Sequence, residues 1–293
     1  MRLKALVLIA GVFAATTASA AYRLDPFKDD LFQYPKILSS EDNGDFVVVQ
    51  YDKERDLYQR DTDPERKVKN NYTDPVWQHT KSYSVKGPNQ KFIGVGNFGG
   101  GAKAVVIYIH GQGGDRFQGA DDWTFGGNFN RIMNLMKRND GTYLSPDFTD
   151  LGETGTQQIK ALVLDQARKS PRAALFVACG SQGGSICWDL IADKDVAGHL
   201  AGLLLLGSGH DERFLDSPQV RGTAPPIPIY LGHGTLDPIF PWQDELGFYH
   251  RVRALRPGYP IRIAVFDTGV HGTPIRMTDW RLTLNWMLEA DGR

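Results

Sequence analysis

From Lys103 onwards, short apolar runs alternate with segments in which apolar residues recur at helical spacing. Residues 104–109 (AVVIYI) form a continuous apolar run, which is typical of a strand buried on both faces. The same pattern predicts further strands at 142–145, 173–178, 200–206, 227–231 and 262–266. Helical spacing between these runs predicts an α/β fold: a mostly parallel sheet with helices on both faces. Ligands of such sheets bind beyond the carboxyl ends of the strands, so functional residues are expected there.

Residues 21–100 are more polar and include a charged stretch at 52–70. Two segments in this region have strand character, Phe46–Tyr51 and 81–85, and we interpret them as early edge strands. The charged stretch is interpreted as solvated surface. We therefore predict one domain over 21–293, in which 21–100 is an N-terminal extension and 101–293 is the core.

The first twenty residues have the pattern of a secretory signal peptide. A positively charged start precedes an apolar segment at 5–15, and Ala18-Ser19-Ala20 is an A-x-A cleavage site. We predict that 1–20 is removed and that the protein is periplasmic or secreted. A membrane span is not expected, because the longest later apolar run, 200–206, is far shorter than the roughly 20 residues that a span requires.

Charge and cysteine content exclude several classes. With 33 Lys and Arg against 34 Asp and Glu, the formal net charge is −1, which gives no reason to expect nucleic acid as a partner. Two cysteines, Cys179 and Cys187, cannot form a disulfide scaffold. We expect them to be unpaired, because a helix rises about 1.5 Å per residue and should carry Cys187 away from the strand end that holds Cys179.

A serine follows the strand predicted at 173–178, in the sequence Cys179-Gly180-Ser181-Gln182-Gly183-Gly184. Small residues on both sides allow a tight strand-to-helix turn, which exposes the serine at a helix N-terminus. The pattern matches G-x-S-x-G except that Cys179 stands in the first position. The alternative is a helix-capping serine in a glycine-rich turn.

A serine hydroxyl needs a base to accept its proton, and the base needs a carboxylate to orient it. Asp237 follows the strand at 227–231, and His271 follows the strand at 262–266. Ser181, Asp237 and His271 occur in the chain order of an α/β-hydrolase, each shortly after its own strand. Asp267 and Asp244 are alternative acids.

The segment His110-Gly111-Gln112-Gly113-Gly114-Asp115 follows the strand at 104–109. Its glycines let backbone N–H groups point towards a substrate oxygen, and we predict that the N–H groups of Gln112 and Gln182 form an oxyanion hole. We predict no metal and no cofactor: His110 and His233 precede glycines at strand ends and are expected to support turns, and no H-E-x-x-H motif is present.

These motifs resemble the carboxylesterase, phospholipase and acyl-protein thioesterase group of α/β-hydrolases. The resemblance covers the core from about 103 to 286 and rests on the turns at 110–115, 181–184, 233–241 and 269–271. It implies Ser181 as nucleophile, Asp237 as acid, His271 as base, and Gln112 with Gln182 as oxyanion donors. Cys179 departs from the group's pattern, and neither 116–127 nor the region before 103 is similar to it.

The resulting expectation is an exported serine hydrolase that cleaves a carboxylic ester or thioester of a small-molecule or lipid-like substrate. The short connection from 206 to 227 leaves no room for a large lid. The alternatives are a peptidase or a cell-envelope deacylase or phospholipase with the same triad, and a non-catalytic binding protein. The expected cleft is walled by four aromatic residues: Trp123, Phe125, Phe214 and Trp242.

Overall fold

A computed structural model describes residues 22–62, 72–83 and 90–292 of the chain. The predicted signal peptide, and the end of the strand expected at 81–85, lie outside these residues. None of the helices described is long and apolar enough to cross a membrane.

The described residues build one ten-stranded sheet in the order β1-β2-β10-β9-β8-β7-β5-β6-β4-β3. Seven neighbouring strands, from β2 through β6 in that order, run parallel, and antiparallel pairs occur only towards the two edges. The strands are β1 Ile37–Glu41, β2 Phe46–Gln50, β3 His79–Tyr83, β4 Gln90–Gly96, β5 Ala104–Ile109, β6 Thr142–Pro146, β7 Ala174–Gly180, β8 Leu200–Leu206, β9 Ile229–Gly234 and β10 Ile261–Asp267. The predicted mostly parallel sheet is thereby confirmed.

Helices cover both faces of the sheet, as predicted. They are α1 Asp29–Phe32, α2 Asn128–Arg138, α3 Glu153–Lys169, α4 Gly184–Ala192, α5 Lys194–Ala197, α6 Trp242–Leu255, α7 Thr273–Met277 and α8 Trp280–Asp291, with a π-helix at Lys53–Thr62. The helices α3, α4 and α6 pack on one face, and α2, α7 and α8 pack on the other.

Strand β5 shows why the central strands are apolar throughout. Val105, Ile107 and Ile109 point into the core under α3 and α4, whereas Val106 and Tyr108 point into the core under α2. Side chains alternate between the two faces of a strand, and both faces are buried here, so every position of β5 is apolar.

The N-terminal region is more closely integrated than expected. Strand β2, predicted to lie at an edge, pairs with β10 on one side and is covered by β1 on the other. The strand β4 was not predicted, and it pairs with β6 and with the edge strand β3. The connection from β8 to β9 holds one short 3₁₀ turn, Glu212–Asp216, and no large lid, as predicted.

The expectation of two unpaired cysteines is wrong. Cys179 and Cys187 form a disulfide, with their Cα atoms 6.4 Å apart. The strand-to-helix turn brings α4 back over β7, and its glycines let the start of α4 lie close to the chain at the ends of the neighbouring strands β5 and β8. A methyl group at Gly183 would lie 2.6 Å from the carbonyl oxygen of His110, and one at Gly184 would lie 2.8 Å from Cβ of Ser208. Both cysteines are completely buried.

Candidate active site

Ser181 occupies the sharp turn between β7 and α4. Its φ angle is +52°, in the left-handed region that non-glycine residues rarely adopt. A single 3₁₀ turn, Ser181–Gly183, then leads into α4. The turn projects the Ser181 side chain beyond the carboxyl end of β7, where the partly buried hydroxyl is accessible from the cavities described below.

The fold brings Ser181, His271 and Asp237 together at the carboxyl edge of the sheet. They follow β7, β10 and β9 respectively, and the distances from His271 Nε2 to Ser181 Oγ and from His271 Nδ1 to Asp237 Oδ2 are both 2.8 Å. An ionised carboxylate only accepts hydrogen bonds, so Nδ1 donates to Asp237 and Nε2 is left to accept the proton of the Ser181 hydroxyl. The three side chains thus form a continuous hydrogen-bonded relay.

Asp237 is held firmly in this relay. It is 8% exposed, and its second oxygen, Oδ1, accepts hydrogen bonds from the backbone N–H groups of Ile239 at 2.8 Å and Phe240 at 3.2 Å. The two alternative acids are elsewhere: Asp267 is exposed at the end of β10, and Asp244 is exposed in the first turn of α6. Of the three carboxylates, Asp237 is the one that hydrogen-bonds to His271.

The turn after β5 packs directly against Ser181. A methyl group at Gly111 would lie 2.8 Å from Cβ of Ser181, so a glycine is needed for this approach. Gln112 comes next and borders the same cavity as Ser181, while Gln182 is the residue after Ser181 in its 3₁₀ turn. The two predicted oxyanion donors therefore belong to the two backbone turns that meet at the serine.

The two histidines expected to support turns are both buried: His110 follows β5, whereas His233 lies within β9 and not in a turn. His110 stacks on Phe148 with ring centroids 4.1 Å apart, and its Nδ1 contacts the carbonyl oxygen of Gly111 at 2.9 Å. Burial lowers the pKa of His110, so its ring is neutral and supports the turn. Across residues 22–62, 72–83 and 90–292, no group of three or more His, Cys, Asp or Glu side chains is arranged to hold a metal ion.

Two cavities meet at Ser181, which is the one lining residue that they share. The smaller has a volume of about 170 Å³ and the larger about 530 Å³. Phe125 borders the smaller cavity, as the sequence suggested, but Trp123, Phe214 and Trp242 border neither.

Sequence reasoning missed Phe240, which borders the larger cavity and lies against His271 with ring centroids 5.9 Å apart. Its position three residues after Asp237 was the available signal.

Comparison with known proteins gave no matching family model and no matching curated protein. Solved structures do match. The Pyrococcus furiosus esterase Pf2001 is 15% identical, with 73% of this chain and 92% of that chain covered and a TM-score of 0.52. The apo form of Thermogutta terrifontis esterase 2 is 15% identical, with coverage of 72% and 91% and a TM-score of 0.50. A thermostable esterase is 16% identical, with coverage of 72% and 62% and a TM-score of 0.54.

The chain has the α/β-hydrolase fold, as predicted. At these identities the likeness concerns the fold, so the reaction has to be argued from the residues at the carboxyl edge of the sheet.

Proposed function

We propose that this protein is a serine hydrolase that cleaves a carboxylic ester or thioester through an acyl-enzyme. The observation that carries the proposal is the relay from Asp237 through His271 to Ser181, with both hydrogen bonds at 2.8 Å. A buried carboxylate, an imidazole and a serine in a strained turn are the groups that nucleophilic acyl transfer requires.

In the proposed reaction, Ser181 Oγ attacks the carbonyl carbon while His271 Nε2 takes the hydroxyl proton. Asp237 keeps the imidazole in the required tautomer and stabilises the imidazolium that forms. The backbone N–H groups of Gln112 and Gln182 stabilise the oxyanion of the tetrahedral intermediate. His271 then returns the proton to the leaving oxygen or sulfur, and a water molecule hydrolyses the acyl-enzyme by the same steps.

The three solved structures described above are of proteins named as esterases, which agrees with ester hydrolysis here. A peptidase, or a cell-envelope deacylase or phospholipase, would use the same three side chains. A binding protein without activity would have no need for the complete relay, and the left-handed φ of Ser181 favours catalysis because such strain is concentrated at active sites.

We also propose that the protein is exported to the periplasm or secreted. The support is the signal-peptide pattern at 1–20 together with the Cys179–Cys187 disulfide, since disulfides persist in oxidising compartments. N-terminal sequencing of the chain isolated from its host should begin at Ala21. A chain that retains residues 1–20 and is found in the cytoplasm would contradict export.

The catalytic proposal is tested by labelling with a fluorophosphonate and by Ser181→Ala. The wild-type protein should be labelled at Ser181 and should hydrolyse 4-nitrophenyl acetate, whereas Ser181→Ala should lose labelling and at least about 10⁴-fold in kcat. Ser40→Ala, which removes an exposed serine on β1, is the matched control and should behave as wild type. Retention of a tenth of the wild-type turnover by folded Ser181→Ala would overturn the proposal.

A further inference from the structure

The proposed hydrolase activity does not by itself define the substrate. The two cavities that meet at Ser181 differ in size and in access, and these differences indicate a class of ester. Resting on that proposed function, we propose that the substrate is an ester of a short acyl group, of about six carbons or fewer, with a larger polar alcohol. The smaller cavity holds the acyl group and the larger one holds the alcohol.

The smaller cavity is less open than the larger one, and several of its walls are side chains that have little freedom to move. Its walls include Phe125, Leu206 and Ile275, together with Tyr108, whose hydroxyl donates to Gln118 Oε1 at 3.0 Å. Leu206, Ile275 and Tyr108 are all buried.

Packing behind these walls prevents the cavity from expanding. Tyr108 and Phe125 both pack edge-on against Phe129, with ring centroids 4.7 and 5.7 Å apart. A methyl group at Gly272 would lie 3.0 Å from the Phe125 ring, so this ring also lies close to the backbone beside His271. Close-packed neighbours of this kind resist displacement by a longer chain.

The size of the cavity sets the length of the acyl group. A cavity of roughly 150 Å³ accommodates benzene, which has six carbon atoms. The smaller cavity has a volume of about 170 Å³, so an acetyl, propionyl or butanoyl group fits and an octanoyl group does not.

The larger cavity differs in both chemistry and access. Gln182, Ser185, Glu212 and Arg213 border it and are exposed, and His210 and Asp211 add further polar groups. Such a surface offers hydrogen bonds to hydroxyl groups, beside the apolar side chains of Leu151, Trp188 and Phe240.

The order of events decides which cavity holds which half of the ester. The alcohol leaves first, and a water molecule must then reach the acyl-enzyme while the acyl group stays bound. The half that leaves first therefore belongs in the larger, more open cavity, and the half that stays belongs in the smaller one.

A series of 4-nitrophenyl esters from acetate to decanoate tests the acyl length, because the leaving group stays constant. We expect kcat/KM to fall at least about tenfold between the butanoate and the octanoate. In Phe125→Ala, the ratio of kcat/KM for the octanoate to kcat/KM for the butanoate should rise at least about tenfold, because a ring that borders the cavity is removed. Phe117→Ala is the matched control: Phe117 is 53% exposed in the same connection and borders neither cavity.

Should Phe125→Ala fail to fold, Phe125→Leu gives a smaller enlargement at the same position and should shift the profile in the same direction. A wild-type preference for the octanoate, or a folded Phe125 variant whose profile is unchanged, would overturn the proposal.

Two isomeric esters test which half occupies which cavity. Octyl acetate should be hydrolysed at least about tenfold faster than its isomer ethyl octanoate, and glucose 6-acetate should be at least as good a substrate as octyl acetate. Faster cleavage of ethyl octanoate would reverse the assignment of the cavities, and poor cleavage of glucose 6-acetate would refute the polar alcohol.

Labelling of Ser181 by the fluorophosphonate separates the two proposals. If Ser181 is labelled and esters are cleaved with the wrong length preference, only the substrate inference fails. If Ser181 is not labelled and no ester is cleaved, the hydrolase proposal fails with it.

Discussion

A disulfide joins Cys179 to Cys187, eight residues further along the chain, and Ser181 lies within the loop that it closes. The bridge ties the end of β7 to α4, so the turn that holds Ser181 at a φ of +52° is fixed on both sides. A strained conformation persists only when its surroundings determine it, and here a covalent bond supplements the packing. The bridge therefore links the stability of the core to the placement of the candidate nucleophile.

Removal of this disulfide should lower both stability and activity. For a loop of this length, we expect Cys179→Ala/Cys187→Ala to lower the free energy of unfolding by about 2 to 3 kcal/mol, as measured by urea denaturation. The folded double variant should also lose several-fold in kcat, because the Ser181 turn is less restrained. As the control, a reductant should lower the free energy of unfolding of the wild type and leave that of the double variant unchanged. Two titratable thiols in the denatured, unreduced wild-type protein would contradict the bridge.

The identity of the acid is tested by a pair of matched substitutions. Asp237→Asn keeps the shape of the side chain but removes the charge and disturbs the tautomer of His271, so kcat should fall on the order of 10⁴-fold. Asp267→Asn changes an exposed carboxylate that has no hydrogen bond to His271 and should leave kcat within about twofold. Steady-state kinetics on 4-nitrophenyl acetate decide between them, and a larger loss in Asp267→Asn would require the acid to be reassigned.

The central strands and the order of Ser181, Asp237 and His271 could be predicted because buried parallel strands leave an unmistakable apolar pattern. Each of the three residues follows such a strand, so their approach to one another follows from the topology. The sequence also favoured Asp237 over Asp267, but only the geometry shows which carboxylate reaches the imidazole.

The features that sequence reasoning missed depend on packing between distant segments. Helical rise alone did not predict the disulfide, because α4 returns along β7 closely enough to place the two Cα atoms 6.4 Å apart. The strands β1 and β4 are polar in part and acquire their place by pairing with β2 and β6, which no local pattern encodes.

The N-terminal extension supports the smaller cavity through Arg60, a residue of the π-helix. Arg60 is 4% exposed, and it donates a hydrogen bond from Nη2 to the carbonyl oxygen of Gly126 at 2.7 Å. Its guanidinium also stacks on the rings of Phe32 and Tyr72, each at 4.8 Å. Gly126 directly follows Phe125, which has a φ of +56°, so Arg60 holds the turn that places this ring in the cavity wall.

We therefore expect Arg60→Met to lower the free energy of unfolding by about 1 to 3 kcal/mol, because the Gly126 carbonyl loses its partner. The folded protein should also accept longer acyl groups, seen as a higher ratio of octanoate to butanoate hydrolysis. Arg281→Met is the control, because Arg281 hydrogen-bonds to the carbonyl oxygen of Leu24 and to Asp29, away from both cavities. An equal shift of the ratio in both variants would mean that lost stability, rather than the Phe125 turn, causes the change.

His233 should make the protein sensitive to acid. Its ring is completely buried, and neither ring nitrogen has a hydrogen-bond partner among the described residues. Burial lowers the pKa of His233 to about 3, with nearby Asp237 opposing the shift and His271 and His210 adding to it. The unfolded chain, in which a histidine has a pKa near 6.5, takes up the proton first, so acid favours unfolding.

The stability associated with neutral His233 is fully present above about pH 6.5 and is lost as the pH falls towards its folded-state pKa, by up to about 1.4 kcal/mol per pH unit. His233→Leu removes this titration, so its free energy of unfolding should fall less steeply between pH 6 and pH 4 than that of the wild type. Urea denaturation at a series of pH values measures both slopes, and His199→Leu, at a site outside the relay and both cavities, serves as the control. Parallel slopes for the wild type and His233→Leu would show that His233 is protonated in the folded protein and that its burial does not control the acid response.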